Sequence, residues 1–199
     1  SRYNTVVEDL LNMLNKSKKK IFTKPLQLNR AYLTCEYVIN NYNKKSKILE
    51  MACGLGFVTH TLTKKGYDVS AFDISKEAIN SAKKVAVDYK QNPKKFYVAN
   101  ENYLKKIKSN SMDVIIGIGY FRYIDFNKQK RVYRECKRIL KKKGTLILDH
   151  QNELFEMFAL NNESIQYWAN FIENYCDIKR VLKNGHLIKR LDKHIKTPI

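Results

Sequence analysis

Cysteine, glycine, proline and acidic residues are all scarce in this sequence of 199 residues, and each shortage removes a class of protein. The 4 cysteines, Cys35, Cys53, Cys136 and Cys176, lie far apart with no C-x-x-C pair. That spacing gives neither a structural zinc site nor a disulfide framework, and it offers no closely spaced ligands for an iron–sulfur cluster. Free thiols in a reducing cytoplasm are the expectation. With 7 Gly and 3 Pro, no linker or low-complexity segment stands out. No run approaches the roughly 18–20 apolar residues of a membrane span, so none is expected. A basic-then-apolar signal peptide is missing too, since Ser1-Arg2-Tyr3-Asn4 is polar; without Met at its start, the chain leaves open what precedes it.

Negative charge is short by half: 19 Asp+Glu face 38 Lys+Arg, for a formal charge of +19. Such a balance points first to nucleic acid or an anionic surface. Lys outnumbers Arg 30 to 8, however, whereas a dedicated phosphate-binding face favours the paired hydrogen bonds of Arg. Residue types with A/T-rich codons (Lys, Asn, Ile, Tyr) number 80, against 27 for Gly, Ala, Pro and Arg. Genomic bias accounts for that pattern without a basic binding face. Hydrophobic residues at 44% and aromatics at 12% argue against disorder despite the charge, and the length is ample for a core.

Apolar periodicity predicts helices over 6–14 and 30–42. Short apolar runs at 48–51, 69–72, 96–98, 112–118 and 145–148 then alternate with helices through about 65, over 76–89 and over 127–142. Ser75 reads as a helix N-cap, Lys141-Lys142-Lys143 as a favourable last turn, and Gly144 as its stop. This alternation predicts an α/β fold, a doubly wound and mostly parallel sheet with right-handed crossovers. Residues 1–46 form an N-terminal helical cap, 47–150 the core, and 151–199 a helical segment plus hairpin that completes or covers it. Phe155, Phe158, Tyr167, Trp168, Phe171 and Tyr175 crowd that last segment, and Asn184-Gly185 is its hairpin turn.

In such sheets ligands bind beyond the carboxyl ends of the strands. After the first strand the chain reads Glu50-Met51-Ala52-Cys53-Gly54-Leu55-Gly56. Gly54 and Gly56 permit a tight turn and close approach of a ligand to backbone N–H groups. Asp73 ends the second strand, where a carboxylate accepts from a ribose diol. Several nucleoside cofactors use that pair of features. Glu50 argues against a dinucleotide, whose pyrophosphate it would repel, and suits a cofactor with a cationic amino-acid end.

Residues 48–59 (ILEMACGLGFVT) resemble the first motif of the class I, Rossmann-like S-adenosylmethionine-dependent methyltransferases, with Ala52 where the family commonly has glycine. The resemblance continues through 69–75 (VSAFDIS), 96–104 (FYVANENYL), 111–119 (SMDVIIGIG) and 138–148 (RILKKKGTLIL). It implies S-adenosyl-L-methionine as cofactor and S-adenosyl-L-homocysteine as product. Glu50, Ala52, Cys53, Gly54, Gly56 and Gly117 would shape or contact the cofactor site. Asp73 would bind the ribose hydroxyls and Ile74 would pack on adenine. Asn100 takes the place of the usual acidic adenine contact, with Glu101 beside it. The family's sheet has seven strands, so the last two fall to the 178–191 hairpin or lie beyond the chain's end.

Methyl transfer is an in-line displacement that needs alignment, exclusion of water and, for some acceptors, removal of a proton. Tyr123 sits where many small-molecule members carry His and could orient an acceptor hydroxyl. Arg122 could hold an anionic acceptor, and His150 has the right type for a general base. The alternative for this segment is that Tyr120, Phe121 and Tyr123 pack over the cofactor while Arg122 faces solvent. No His/Asp/Glu cluster calls for a metal. The expectation is a cytoplasmic methyltransferase acting at oxygen of a small polar or anionic metabolite, such as a sugar, a phosphorylated precursor or a surface-polysaccharide building block. RNA or tRNA methylation and a non-catalytic cofactor-binding relative stand as alternatives.

Overall fold

Among the described residues there are five strands: β1 (Lys47–Met51), β2 (Asp68–Asp73), β3 (Phe96–Val98), β4 (Met112–Gly117) and β5 (Leu140–Leu148). They form one parallel sheet in the order β3-β2-β1-β4-β5. The structure, a computed structural model, describes residues 2–15 and 26–150. Residues 16–25 and the aromatic and hairpin features expected after His150 lie outside the described residues. The helices are α1 (Arg2–Asn15), α2 (Leu26–Asn41), α3 (Phe57–Lys64), α4 (Lys76–Asp88) and α5 (Phe126–Ile139). The order reverses between β1 and β4, which makes the doubly wound sheet expected from the sequence and puts its switch point between those strands.

Alternation along the strands sorts the core into two layers. Ile48 and Val69 face a cluster shared with Leu10 of α1, Cys35 of α2 and Leu62 of α3. Ala71 and Phe96 meet Ile79, Ala82 and Ala86 of α4. Leu49, Met51 and Phe72 point the other way, onto Val132, Cys136 and Ile139 of α5. Both sheet faces are covered, so the central strands are continuously apolar, as in Val114, Ile115 and Ile116 of β4. Ser75 caps α4 as expected, accepting from Ala78 N at 3.1 Å. Cys35, Cys53 and Cys136 are free and buried. Among the described residues, no helix is long and apolar enough to cross a membrane.

The end of α5 departs from the sequence reading. The helix stops at Ile139, and Lys141-Lys142-Lys143 belong to β5 rather than to a last helical turn. The pairing passes from Met112↔Leu140 to Val114↔Thr145, so 141–144 bulge opposite Asp113. Lys141 Nζ holds both carboxylate oxygens of Asp113, at 2.9 and 2.8 Å. Gly144 ends no helix. A side chain there would meet Leu140 at 2.9 Å and the carbonyls of Asp113 and Lys141 at 3.1 Å, so it would crowd the bulge.

Arg138, within α5's last turn, secures the segment that follows β3. Its guanidinium donates to the carbonyls of Leu104 and Ile107 at 2.9 Å, to Ser109 Oγ at 3.0 Å and to Glu135. Replacing it with Met strands two part-buried carbonyls. The substitution Arg138→Met should destabilise the fold by about 2 kcal/mol, read as a drop in Tm; an unchanged Tm would contradict this anchoring role.

Candidate active site

The turn after β1 packs three left-handed residues into five positions: Ala52 at φ +50°, Gly54 at +52° and Gly56 at +75°. Gly56 has no alternative, because a Cβ there would lie 2.7 Å from the Phe96 ring and 3.2 Å from the His60 imidazole. At Gly54 the space is open: no atom lies within 4 Å of its Cβ position, so a ligand can approach the backbone. Ala52 occupies a conformation that favours glycine, at a strain cost of about 1–2 kcal/mol. This explains why glycine is the common residue at that motif position.

Two carboxylates hold the turn. Asp73 Oδ2 accepts from Gly54 N and Oδ1 from Ser75 N, each at 2.8 Å, which ties the β1 turn to the end of β2. Glu50 is 5% exposed and lies beneath, accepting from Thr59 N at 3.0 Å and Thr59 Oγ1 at 2.5 Å. It sits at the positive end of α3, where a carboxylate is favoured. Burial nevertheless pushes its carboxyl up to about 7; the Thr59 hydrogen bonds oppose that rise and the charge of Asp73 adds to it. His60 is fully buried under Gly56, with Nδ1 against Gln91 Oε1 at 2.7 Å, and Gln91 Nε2 donates back to the His60 carbonyl.

Above the turn opens a cleft of about 400 Å³, at the carboxyl ends of the strands. Ala52, Phe72, Asp73 and Ile74 reach it from the ends of β1 and β2, and Ala99, Asn100 and Glu101 from the segment after β3. Gly119, Tyr120, Tyr123, Ile124 and Lys128 line it from the segment between β4 and α5. Its volume falls within the roughly 300–1,000 Å³ of small-molecule sites. Asn100 Oδ1 is engaged by Asn102 N at 3.0 Å. Gly119 N donates to Asp149, which also forms an ion pair with Arg30 of α2. Among the described residues, no cluster of His, Cys, Asp and Glu could hold a metal ion.

Of the positions expected to serve a cofactor, Ala52, Asp73, Ile74, Asn100 and Glu101 line the cleft, and Gly54 and Gly56 build the turn. Glu50, Cys53 and Gly117 do not line it. Glu50 acts on α3 from below. Cys53 is 8% exposed, and a side chain at Gly117 would strike Leu148 and Met51 at 2.9 Å, so that glycine serves packing. Gly119, two residues on and at φ +75°, reaches the cleft instead.

Among the candidate catalytic residues, only Tyr123 lines the cleft, 78% exposed. Arg122 is exposed and does not line it, its guanidinium 5.4 Å from the Tyr123 ring centre. His150 also lies off the lining, with Nε2 against Tyr133 Oη at 2.5 Å. Lys128, which belongs to no motif in the sequence, also lines the cleft. Its place in the first turn, beside the sheet's carboxyl edge, brings it within 3.2 Å of Glu101. The offset of three residues from Asp125, the N-cap, is the signal that could have found it.

A family model described as a methyltransferase domain matches residues 49–148, from β1 to the end of β5. The chain belongs to the class I S-adenosylmethionine-dependent methyltransferases. Its cofactor is S-adenosyl-L-methionine. The chain is 26% identical over 172 residues to a ubiquinone biosynthesis O-methyltransferase of Rickettsia bellii, covering 84% of this chain and 68% of that one. It is 30% identical over 165 residues to a ubiquinone/menaquinone biosynthesis C-methyltransferase of Wigglesworthia glossinidia brevipalpis, covering 78% and 64%. Among solved structures, PH0226 protein of Pyrococcus horikoshii OT3 superposes with a TM-score of 0.57 at 25% identity, over 71% of this chain and 65% of that one. The chain thus spans about two thirds of the length of these relatives. Their names give no support to a surface-polysaccharide acceptor.

The Glu50 carboxyl makes stability depend on pH in a defined direction. Its folded pKa is raised, so the stability it contributes is full below about 4.5, the unfolded value, and is lost as pH rises through about 7. Glutamine keeps an oxygen for Thr59 and does not titrate. The Tm of Glu50→Gln relative to the parent should therefore rise between pH 5 and pH 8; a constant or falling difference would refute the buried-carboxyl account.

Proposed function

We propose that this chain transfers a methyl group from S-adenosyl-L-methionine to a hydroxyl oxygen of a small molecule with an aromatic ring. One observation carries the reading. The segment after β4 presents Tyr120, Tyr123 and Ile124 to the cleft, while Arg122 is not part of its lining. An aromatic and aliphatic edge favours a ring to stack on over a sugar phosphate to clamp. The quinone-pathway names of the relatives agree with a ring-bearing acceptor.

The cofactor roles follow from the atoms left free. Each Asp73 oxygen has accepted one backbone N–H and retains a lone pair, so the carboxylate is anchored and still able to accept from ribose hydroxyls. Ile74, 75% exposed, supplies an apolar face for adenine, and Ala99, Asn100 and Glu101 border the same side. The bare backbone at Gly54 admits the rest of the molecule. Glu50 shapes this site through Thr59 rather than by touching the ligand. Bound S-adenosyl-L-methionine would supply a methyl group activated on a positive sulfur: the sulfur would keep the bonding pair and leave as S-adenosyl-L-homocysteine, and the acceptor's hydroxyl proton would pass to solvent.

The chain's own part is alignment and exclusion of water. Tyr123 stacks the acceptor ring, and Ile74 and Ile124 exclude solvent. Asp149 fixes Gly119, whose N–H it accepts. His150, occupied by Tyr133, acts in this reading as a support for Phe121, whose ring lies 5.3 Å from the imidazole.

Labelled methyl transfer to a panel of phenolic, sugar, sugar-phosphate and tRNA acceptors tests this reading. The phenolic compounds should take the label. Salt-sensitive labelling of tRNA, or labelling of sugars alone, would overturn it. Tyr123→Ala should raise the KM of the best acceptor about tenfold while the cofactor Kd stays within about twofold; the reverse split would place Tyr123 on the cofactor.

A further inference from the structure

Lys128 stands in a position its own helix disfavours. It lies in the first turn of α5, at the positive end of the helix dipole, where an acidic residue is preferred and none is present. Its partner is outside the helix: Nζ lies 3.2 Å from Glu101 Oε1, the two side chains 35% and 21% exposed. Both residues line the cleft, but from different segments, Glu101 following β3 and Lys128 following β4. The ion pair therefore runs between two sides of the cofactor site at its solvent edge.

We propose that Lys128 is a positioning residue that gates this cleft: its ion pair with Glu101 must part to admit the nucleoside cofactor and again to release the product. This rests on the cleft being the S-adenosyl-L-methionine site. The segment carrying Glu101 is pinned on one side by Ala99 N to the Asp73 carbonyl at 2.9 Å, and on the other by Arg138 to the carbonyls of Leu104 and Ile107. With that backbone held, the gate opens by rotation of two side chains rather than by movement of a loop. Partial exposure keeps the pair weak and hence quick to open.

Tyr120 supplies a second observation. Its hydroxyl is buried and has no hydrogen-bond partner while Glu101 faces Lys128. The phenol is pushed upward chiefly by burial and next by the charge of Glu101, so the carboxylate acts on this ring as well as on Lys128. A closed gate thus leaves a buried donor unmatched, a costly arrangement.

A gate and a ligand contact leave different kinetic marks. Losing a contact changes the dissociation rate and Kd together, whereas losing a gate raises both rates and leaves Kd nearly fixed. Surface plasmon resonance on the full chain, with S-adenosyl-L-homocysteine as the probe, separates them in the parent, Lys128→Met and Lys128→Arg. Lys128→Met should bind and release about two to five times faster with Kd within about twofold, and Lys128→Arg should restore the parent rates. Raising the salt should bring the parent toward the Lys128→Met rates and leave that variant little changed. Unchanged rates in Lys128→Met, or a change in dissociation alone, would overturn the gate. Absence of probe binding to the parent would instead overturn the cofactor reading of the cleft, and the gate with it.

Discussion

The Asp73 carboxylate is the constraint on which the site depends. Its two oxygens fasten Gly54 and Ser75, so one side chain joins the turn after β1 to the start of α4. A turn with three left-handed residues is costly on its own and persists because its surroundings over-determine it. Above, Asp73 holds the middle of the turn; below, Glu50 holds the start of α3; beneath Gly56, His60 and Phe96 fill the space that a Cβ would need. The same packing that stabilises this turn leaves its outer surface bare. Stability and ligand access come from one arrangement.

Much of this was legible in the sequence because it is local. Strand–helix alternation with five apolar runs gave the parallel sheet, and the sheet's order then put the residues after each strand at one edge. Gly54, Gly56, Asp73 and Ile74 were readable because turn chemistry and strand ends have short-range signals. What escaped depends on distant partners. Nothing near Glu50 in the chain says that burial against α3 keeps it out of the cleft. Arg122 and Tyr123 are adjacent, yet a 3-10 turn over Phe121–Tyr123 leaves only the tyrosine in the cleft lining. The boundary of α5 moved by three residues because the β4–β5 bulge, held by Lys141 and Asp113, claims residues that a helical pattern would also accept.

The surplus of lysine also takes on a structural meaning. Among the described residues, the scarce acidic side chains tie lysines across elements: Glu8 to Lys64, Asp68 to Lys95, Glu101 to Lys128 and Asp113 to Lys141. Each is part-exposed and weak by itself. Three of them brace helix to helix, strand to turn or strand to strand, and the fourth lies across the cleft. The same chemistry therefore serves support in one place and access in another, according to whether a ligand must pass between the partners.

The central claim is that the turn fastened by Asp73 is the floor of the S-adenosyl-L-methionine site. Isothermal titration of the full chain with S-adenosyl-L-methionine, for the parent and for Asp73→Ala, tests it most directly. The account predicts one site per chain, with affinity lower by about ten- to hundredfold when Asp73 is lost and with both proteins folded by circular dichroism. Equal affinity in a folded Asp73→Ala protein would contradict it.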